Sequence, residues 1–213
     1  MFRIAIDGPG GAGKSTISKL VAKELAIDYI DTGAMYRAAA LKLTGLGIPS
    51  TDEEAIEKVM AETDIDFVAG DILLDGVCVN EEIRRPEMSS LASEYSAIGC
   101  VRKKLVELQR QMGQRKSVIM DGRDIGTNVF PDAEFKFYLN AEPEERARRR
   151  YKEQIEKGMD VTFEQVLKDI NQRDYNDMHR DLDPLRKAED AVEVDTTHMT
   201  IEEVVGVIVK AVQ

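Results

Sequence analysis

One stretch restricts this chain more than any other: Gly8-Pro9-Gly10-Gly11-Ala12-Gly13-Lys14-Ser15-Thr16. It fits G-x-x-x-x-G-K-[ST], with Gly8, Gly13, Lys14 and Ser15 at the fixed positions. Arg3 to Asp7, ahead of it, is short and β-branched enough to read as a buried strand. Behind it, Ile17, Leu20, Val21, Ala22 and Leu25 recur at helical spacing, which predicts a helix over Ser15 to Ala26. Between a strand and a helix, such a loop turns its backbone N–H groups onto a phosphate, and the helix dipole adds partial positive charge. Lys14 then reaches the β- and γ-phosphates, and the Ser15 hydroxyl serves Mg²⁺. The expectation is a nucleoside triphosphate site on an α/β sheet.

The rest of the chain is consistent with that start. With 213 residues, 43% apolar and 32% charged, it has room for one domain or one domain with a small insert. A net charge of −11 argues against general binding to nucleic acid or to anionic membrane. Met1 runs straight into the first strand and no apolar run approaches ~20 residues, so neither a leader nor a membrane span is expected. Cys78 and Cys100 lack metal-ligand spacing and suggest a reducing, cytoplasmic setting. Positive charge for handling polyphosphate must therefore be local. It gathers at Arg146, Arg148, Arg149 and Arg150, and as single arginines at Arg37, Arg102, Arg123, Arg173 and Arg180.

A second short strand, Ile27 to Asp31, leads to Thr32-Gly33 and a helix over Ala34–Leu46 that carries Tyr36 and Arg37 in its opening turn. Thr51 with Glu54 predicts a capping box for a helix over Asp52–Glu62. From Asp64 to about Arg85, short apolar runs alternate with Gly70-Asp71 and Asp75-Gly76, the signature of a small antiparallel ribbon. Pro86 then opens one helical stretch to about Gln114. Ser117–Asp121, Glu134–Asn140 and Ala191–Asp195 read as further strands. Asp121 at a strand end suits the carboxylate that P-loop proteins hold near Mg²⁺ through water.

Pro143 to about Asp183 is charged and mostly helical. One or two of its clustered arginines are expected to point inward while the others stay solvated. Two such helices over a glycine loop make a lid that excludes water on closure. The expected fold class is a P-loop three-layer αβα core with a five-stranded parallel sheet, an antiparallel β insert and a helical lid. Core residues are 1–63 and 96–213, with the lid at about 143–183 and the insert, which would hold the phosphate acceptor, at 64–95. Asn-Lys-x-Asp is absent, and the one Asp-x-x-Gly match lies inside the loop, which disfavours a GTPase switch. His179, His198 and Lys103-Lys104 are expected to be ordinary surface groups.

Over essentially its whole length the chain resembles the bacterial cytidylate kinase family. Besides the glycine loop, the resemblance rests on Asp31-Thr32-Gly33-Ala34-Met35-Tyr36-Arg37, Asp121-Gly122-Arg123-Asp124-Ile125-Gly126-Thr127, Val129-Phe130-Pro131-Asp132-Ala133 and Arg173-Asp174. It implies transfer of the γ-phosphate of ATP to CMP or dCMP, with Mg²⁺; the partners expected are these small molecules alone, with neither nucleic acid nor membrane, and the expected state is a monomer. ATP would lie on Gly8 to Thr16, with Mg²⁺ at Ser15 and, through water, at Asp121. Thr32, Tyr36, Arg37, Ser93, Arg102, Arg123, Asp124, Arg173, Asp177 and Arg180 are the implied CMP set. Among them Thr32, Arg37, Arg123 and Arg173 take the phosphate, Ser93, Arg102 and Asp124 the cytosine, and Asp177 and Arg180 the sugar. Thr32 stands where serine is commoner in the family, and it keeps the hydroxyl. Lys14, Arg123, Arg146, Arg150 and Arg173 are the implied catalytic set, with Arg146 or Arg150 as the lid arginine. Asp124 accepts from the N4 amine of cytosine, whereas uracil would set an acceptor against it at a cost of ~1–3 kcal/mol. Two other readings stay open at this point: a kinase for UMP, AMP or a non-nucleotide alcohol, and a nucleotide-binding switch without transfer activity.

Overall fold

The computed structural model describes all residues, 1–213. In chain order the elements are β1 (Arg3–Asp7), α1 (Lys14–Leu25), β2 (Asp28–Asp31), α2 (Thr32–Gly45), α3 (Glu53–Ala61), β3 (Ile65–Val68), β4 (Asp71–Leu74) and β5 (Val77–Cys78). There follow α4 (Met88–Tyr95), α5 (Gly99–Arg115), β6 (Val118–Gly122), β7 (Phe135–Asn140), α6 (Pro143–Glu156), α7 (Phe163–His179), β8 (Val192–Asp195) and α8 (Ile201–Val212). The main sheet is parallel and five-stranded, in the order β2-β6-β1-β7-β8. No helix is long and apolar enough to cross a membrane.

The chain divides into two compact units, Met1–Asp28 with Val118–Gln213, and Tyr29–Ser117. In the first, β1 is central, pairing Ile4 with Ile119 and Phe135, and Ile6 with Asp121 and Phe137. Strands β1, β6 and β7 are buried on both faces, so Ile4, Ile6, Ile119, Met120 and Leu139 form near-continuous apolar runs. Helix α8 opens with a capping box, Thr200 with Glu203, and packs on α1. Helices α6 and α7 pack on each other through Ala147, Val166 and Ile170, with Tyr151 edge-on to Phe163.

In the second unit, β3, β4 and β5 form the antiparallel ribbon. Both of its turns place two residues at positive φ, Ala69-Gly70 and Asp75-Gly76, the geometry that matches strand twist in a two-residue hairpin. Asp75 also accepts from the Asp64 N–H and pairs with Lys42 of α2 at 2.6 Å, which ties the ribbon to that helix.

Two local expectations are corrected. The N-cap of α3 is Asp52, accepting from Ala55 N–H at 3.1 Å, not Thr51. The carboxylate at 52 reaches the third N–H after it, so no box between Thr51 and Glu54 forms. The single helix from Pro86 is two helices, α4 and α5, separated at 96–98. Ser96 donates from its hydroxyl to Ser93 O, Ile98 is extended, and Gly99 follows, so a side chain competing for the backbone and a flexible glycine flank the break. Within the second unit, α2 packs on α4 and α5, and α3 on α5.

Candidate active site

The glycine loop joins β1 to α1, and its backbone explains its composition. Gly8, Gly11 and Gly13 have φ of 148°, 81° and 86°. A Cβ on Gly8 would stand 2.0 Å from Leu139 O of β7, and one on Gly11 3.1 Å from the Arg146 Cβ of α6. The loop is wedged between the sheet and α6, so its N–H groups are held rather than adaptable. Lys14, 6% exposed, donates from Nζ to Gly8 O at 2.7 Å and Pro9 O at 2.8 Å. Burial, with Arg123 and Arg173 nearby, pulls its pKa down to about 7 against the opposing pull of Asp121 and Asp7. A polyphosphate is the charge that such a buried lysine lacks.

Beside it, the Ser15 hydroxyl donates to Asp121 Oδ2 at 2.8 Å. Asp121 is the next-to-last residue of the buried strand β6, next to β1, at the end where ligands bind in an open parallel sheet. A hydroxyl and a carboxylate side by side are hard oxygen donors that suit Mg²⁺, which keeps several waters and takes others of its ligands from phosphate.

Three arginines converge on the loop. Arg146 is buried, donates from Nε to Ala141 O at 2.8 Å and from Nη1 to Gly10 O at 3.0 Å, and pairs with Asp174 at 2.6 Å. Arg123 and Arg173 lie over Gly10, where a Cβ would come within 3.6 Å of Arg123 Nη2 and 4.0 Å of Arg173 Cδ. Arg123 donates from Nε to Asp177 Oδ2 at 2.8 Å, and Arg173 Nε lies 4.0 Å from the same oxygen. Arg180 contacts Asp124 Oδ1 at 3.4 Å and also donates to Asp183 O. Asp174, Asp177 and Arg173 share one side of α7, so these residues of the first unit form a single charge network.

The rest of the arginine run divides by helix face. Arg149 donates from Nη2 to Thr196 O at 2.7 Å, Arg148 pairs with Glu145 at the surface, and half-buried Arg150 makes no side-chain hydrogen bond or ion pair. One member of the run therefore reaches the glycine loop.

The remaining sequence-derived residues lie in the second unit. Thr32 is buried at the start of α2, and Asp31 caps that helix through Ala34 N–H while pairing with Arg37 at 3.1 Å. Arg102 is 3% exposed on α5, its guanidinium 5.7 Å over the Tyr36 ring and within 3.5 Å of Ser96 O. Ser93, on α4, is half-buried. Sequence reasoning gave no role to Asp174, although its spacing of three from Asp177 on a helix beside Arg173 was a usable signal. It also left Asp7 as a mere strand end.

Asp177 yields a pH prediction. Burial raises its carboxyl, but Arg123, Arg173 and Arg180 outweigh that and hold it below 3.8. The stability it adds is therefore full above about pH 4 and is lost as pH falls through the lower folded value. Urea unfolding of Asp177→Asn is expected to show a loss of about 2–3 kcal/mol at pH 7 that is smaller at pH 3. Equal losses at both pH values would contradict this account of the pair.

A glycine loop with its lysine, a serine–aspartate pair and arginines brought over the loop define the class of protein, a P-loop phosphotransferase. Known proteins narrow it. The cytidylate kinase family profile matches residues 4–213. The cytidylate kinase of Clostridioides difficile (strain 630) is 53% identical over 209 residues, covering 98% of this chain and 97% of that one. That of Caldicellulosiruptor saccharolyticus is 56% identical over 207 residues, covering 95% and 92%. An uncharacterized protein of Eubacterium ventriosum, of known structure, matches with a TM-score of 0.53 at 11% identity over 100% of this chain and 98% of its own, a likeness of fold alone. The chain belongs to the cytidylate kinase family.

Proposed function

We propose that the protein transfers the γ-phosphate of ATP to CMP or dCMP, giving the diphosphate and ADP. What carries this reading beyond family membership is the gathering of Arg123, Arg146 and Arg173 against Gly10 and Lys14. An acceptor phosphate is already an anionic nucleophile, so the reaction needs alignment and charge neutralisation rather than a base. The loop N–H groups from Gly8 to Thr16 bind the donor phosphates, and Lys14 and Arg146 neutralise the transferred group. Ser15 and, through water, Asp121 hold Mg²⁺, which offsets charge on the donor phosphates when bound.

On the acceptor side, Thr32, Arg37, Arg123 and Arg173 take the CMP phosphate. Ser93, Arg102 and Asp124 read the cytosine, Tyr36 supports Arg102, and Asp177 and Arg180 hold the sugar. Asp177 and Asp124 thus exchange arginine partners for substrate. Residues 64–95 serve as the acceptor insert and about 143–183 as the lid on the core. A net charge of −11 fits a monomer acting on small molecules rather than nucleic acid or membrane, and the free Cys78 and Cys100 fit the cytoplasm.

The direct test follows label from γ-labelled ATP, with Mg²⁺, into an added acceptor. Label in CDP when CMP is present is expected, and label only in inorganic phosphate would overturn transfer.

A further inference from the structure

Asp7 is the last residue of β1, 4% exposed, and makes no ion pair. Its two oxygens accept from Ile125 N–H at 2.8 Å and Gly126 N–H at 2.7 Å. Those are the first N–H groups of a five-residue π-helical turn, Ile125–Val129, which lacks partners for them within itself. Burying a carboxylate for two backbone bonds is costly, and a neutral asparagine or serine would be the cheaper cap. Burial drives the Asp7 carboxyl up to about 6, partly opposed by those bonds, with Asp124 raising it, Lys14 lowering it and the Tyr138 phenol close by.

What the bonds connect makes that cost intelligible. Gly8, the first residue of the glycine loop, follows Asp7 directly, and Arg123 and Asp124 directly precede the turn. Asp124 is itself tied into the turn, since its carbonyl accepts from Asn128 N–H at 2.9 Å and Val129 N–H at 3.1 Å, and its Oδ2 from Asn128 Nδ2. The β1–β6 pairing stops at Asp7 and Gly122. Beyond that point the sheet no longer joins the two loops, and the Asp7 carboxylate bridges them.

We propose that Asp7 is a positioning residue that sets Arg123 and Asp124 in register with the glycine loop. The inference rests on the acceptor roles proposed for those two residues. A carboxylate grips two N–H groups at once, whereas an asparagine offers one oxygen and turns an NH₂ toward the other donor.

The test is Asp7→Asn, assayed with CMP and UMP at varied ATP and paired with a melting curve. Because the change removes a buried charge, Tm is expected to stay within about 5 °C of wild type. The efficiency kcat/KM for CMP should fall about 30-fold or more through misalignment. The preference for CMP over UMP should shrink at least about fivefold, while KM for ATP moves less than about threefold. A structural role alone would lower active protein without changing that preference. A preference within about twofold of wild type, in folded protein, overturns the proposal.

If Asp7→Asn does not fold, Asp7→Ser decides, because a single short hydroxyl oxygen cannot hold both N–H groups at once. A loss of the same preference is expected; a preference within about twofold of wild type in folded protein overturns the proposal. Wild type run alongside keeps the two readings apart. A wild type inactive on CMP refutes the proposed function, whereas an active wild type with indifferent variants refutes only the role of Asp7.

Discussion

Lys14→Ala is expected to lower kcat about 10³-fold, with KM for CMP little changed. The reason is where the ammonium sits. The Gly8 and Pro9 carbonyls fix Nζ at 2.7 and 2.8 Å, burial leaves it 6% exposed, and the glycine loop that frames it has no room to shift. An amine fixed in a water-poor pocket, and drawn into its charged form by the arriving polyphosphate, acts on the transferring phosphoryl group with little reorganisation, and there its charge is worth more than in water. Arginine would not restore the rate, because the pocket fits a point charge on a thin stem. Steady-state kinetics with a melting curve checks this. A loss under about tenfold in folded protein would show that Lys14 is spectator to the chemistry.

The second large effect separates Arg146 from Arg150. Arginines that neutralise a transferring phosphoryl group are worth about 10³–10⁵ in kcat, and Arg146→Lys is expected near the lower end of that range. It keeps the charge but loses the fork, in which Nε binds Ala141 O, Nη1 binds Gly10 O and Nη2 pairs with Asp174. Alanine there would also strand Asp174, whose Oδ1 is already buried without a partner, so lysine is the cleaner probe. Arg150→Ala, one turn along α6, should stay within about tenfold of wild type. Turnover within a few-fold of wild type for both variants would remove the lid arginine from the mechanism, and the reverse ranking would move the role to Arg150.

These contrasts show what was legible in the residues alone. The glycine loop, the ribbon turns and the run of short apolar strands follow from local rules of backbone geometry and burial, so spacing suffices to place them. Arg123 could be flagged because it is a single arginine after a short turn-like segment, two residues past Asp121. That one member of the 146–150 run faces the loop was foreseeable from helix geometry; that it is Arg146 was not. It depends on how α6 docks against Gly11, a tertiary contact with no sequence period. Asp7 was obscured for a related reason. Its partners, Ile125 and Gly126, are backbone groups more than a hundred residues away, and a backbone donor leaves no mark in the side-chain pattern. The break between α4 and α5 and the cap at Asp52 were small competitions, decided by which side-chain oxygen reached an N–H first.

Acceptor choice carries the central claim, because the donor site is common to many kinases and the base contacts are not. ADP release should therefore be measured with CMP, dCMP, UMP and AMP at fixed ATP and Mg²⁺. The account predicts kcat/KM for CMP or dCMP at least about tenfold above UMP and AMP, from one buried polar mismatch at the base. CMP and dCMP no better than UMP or AMP would contradict it.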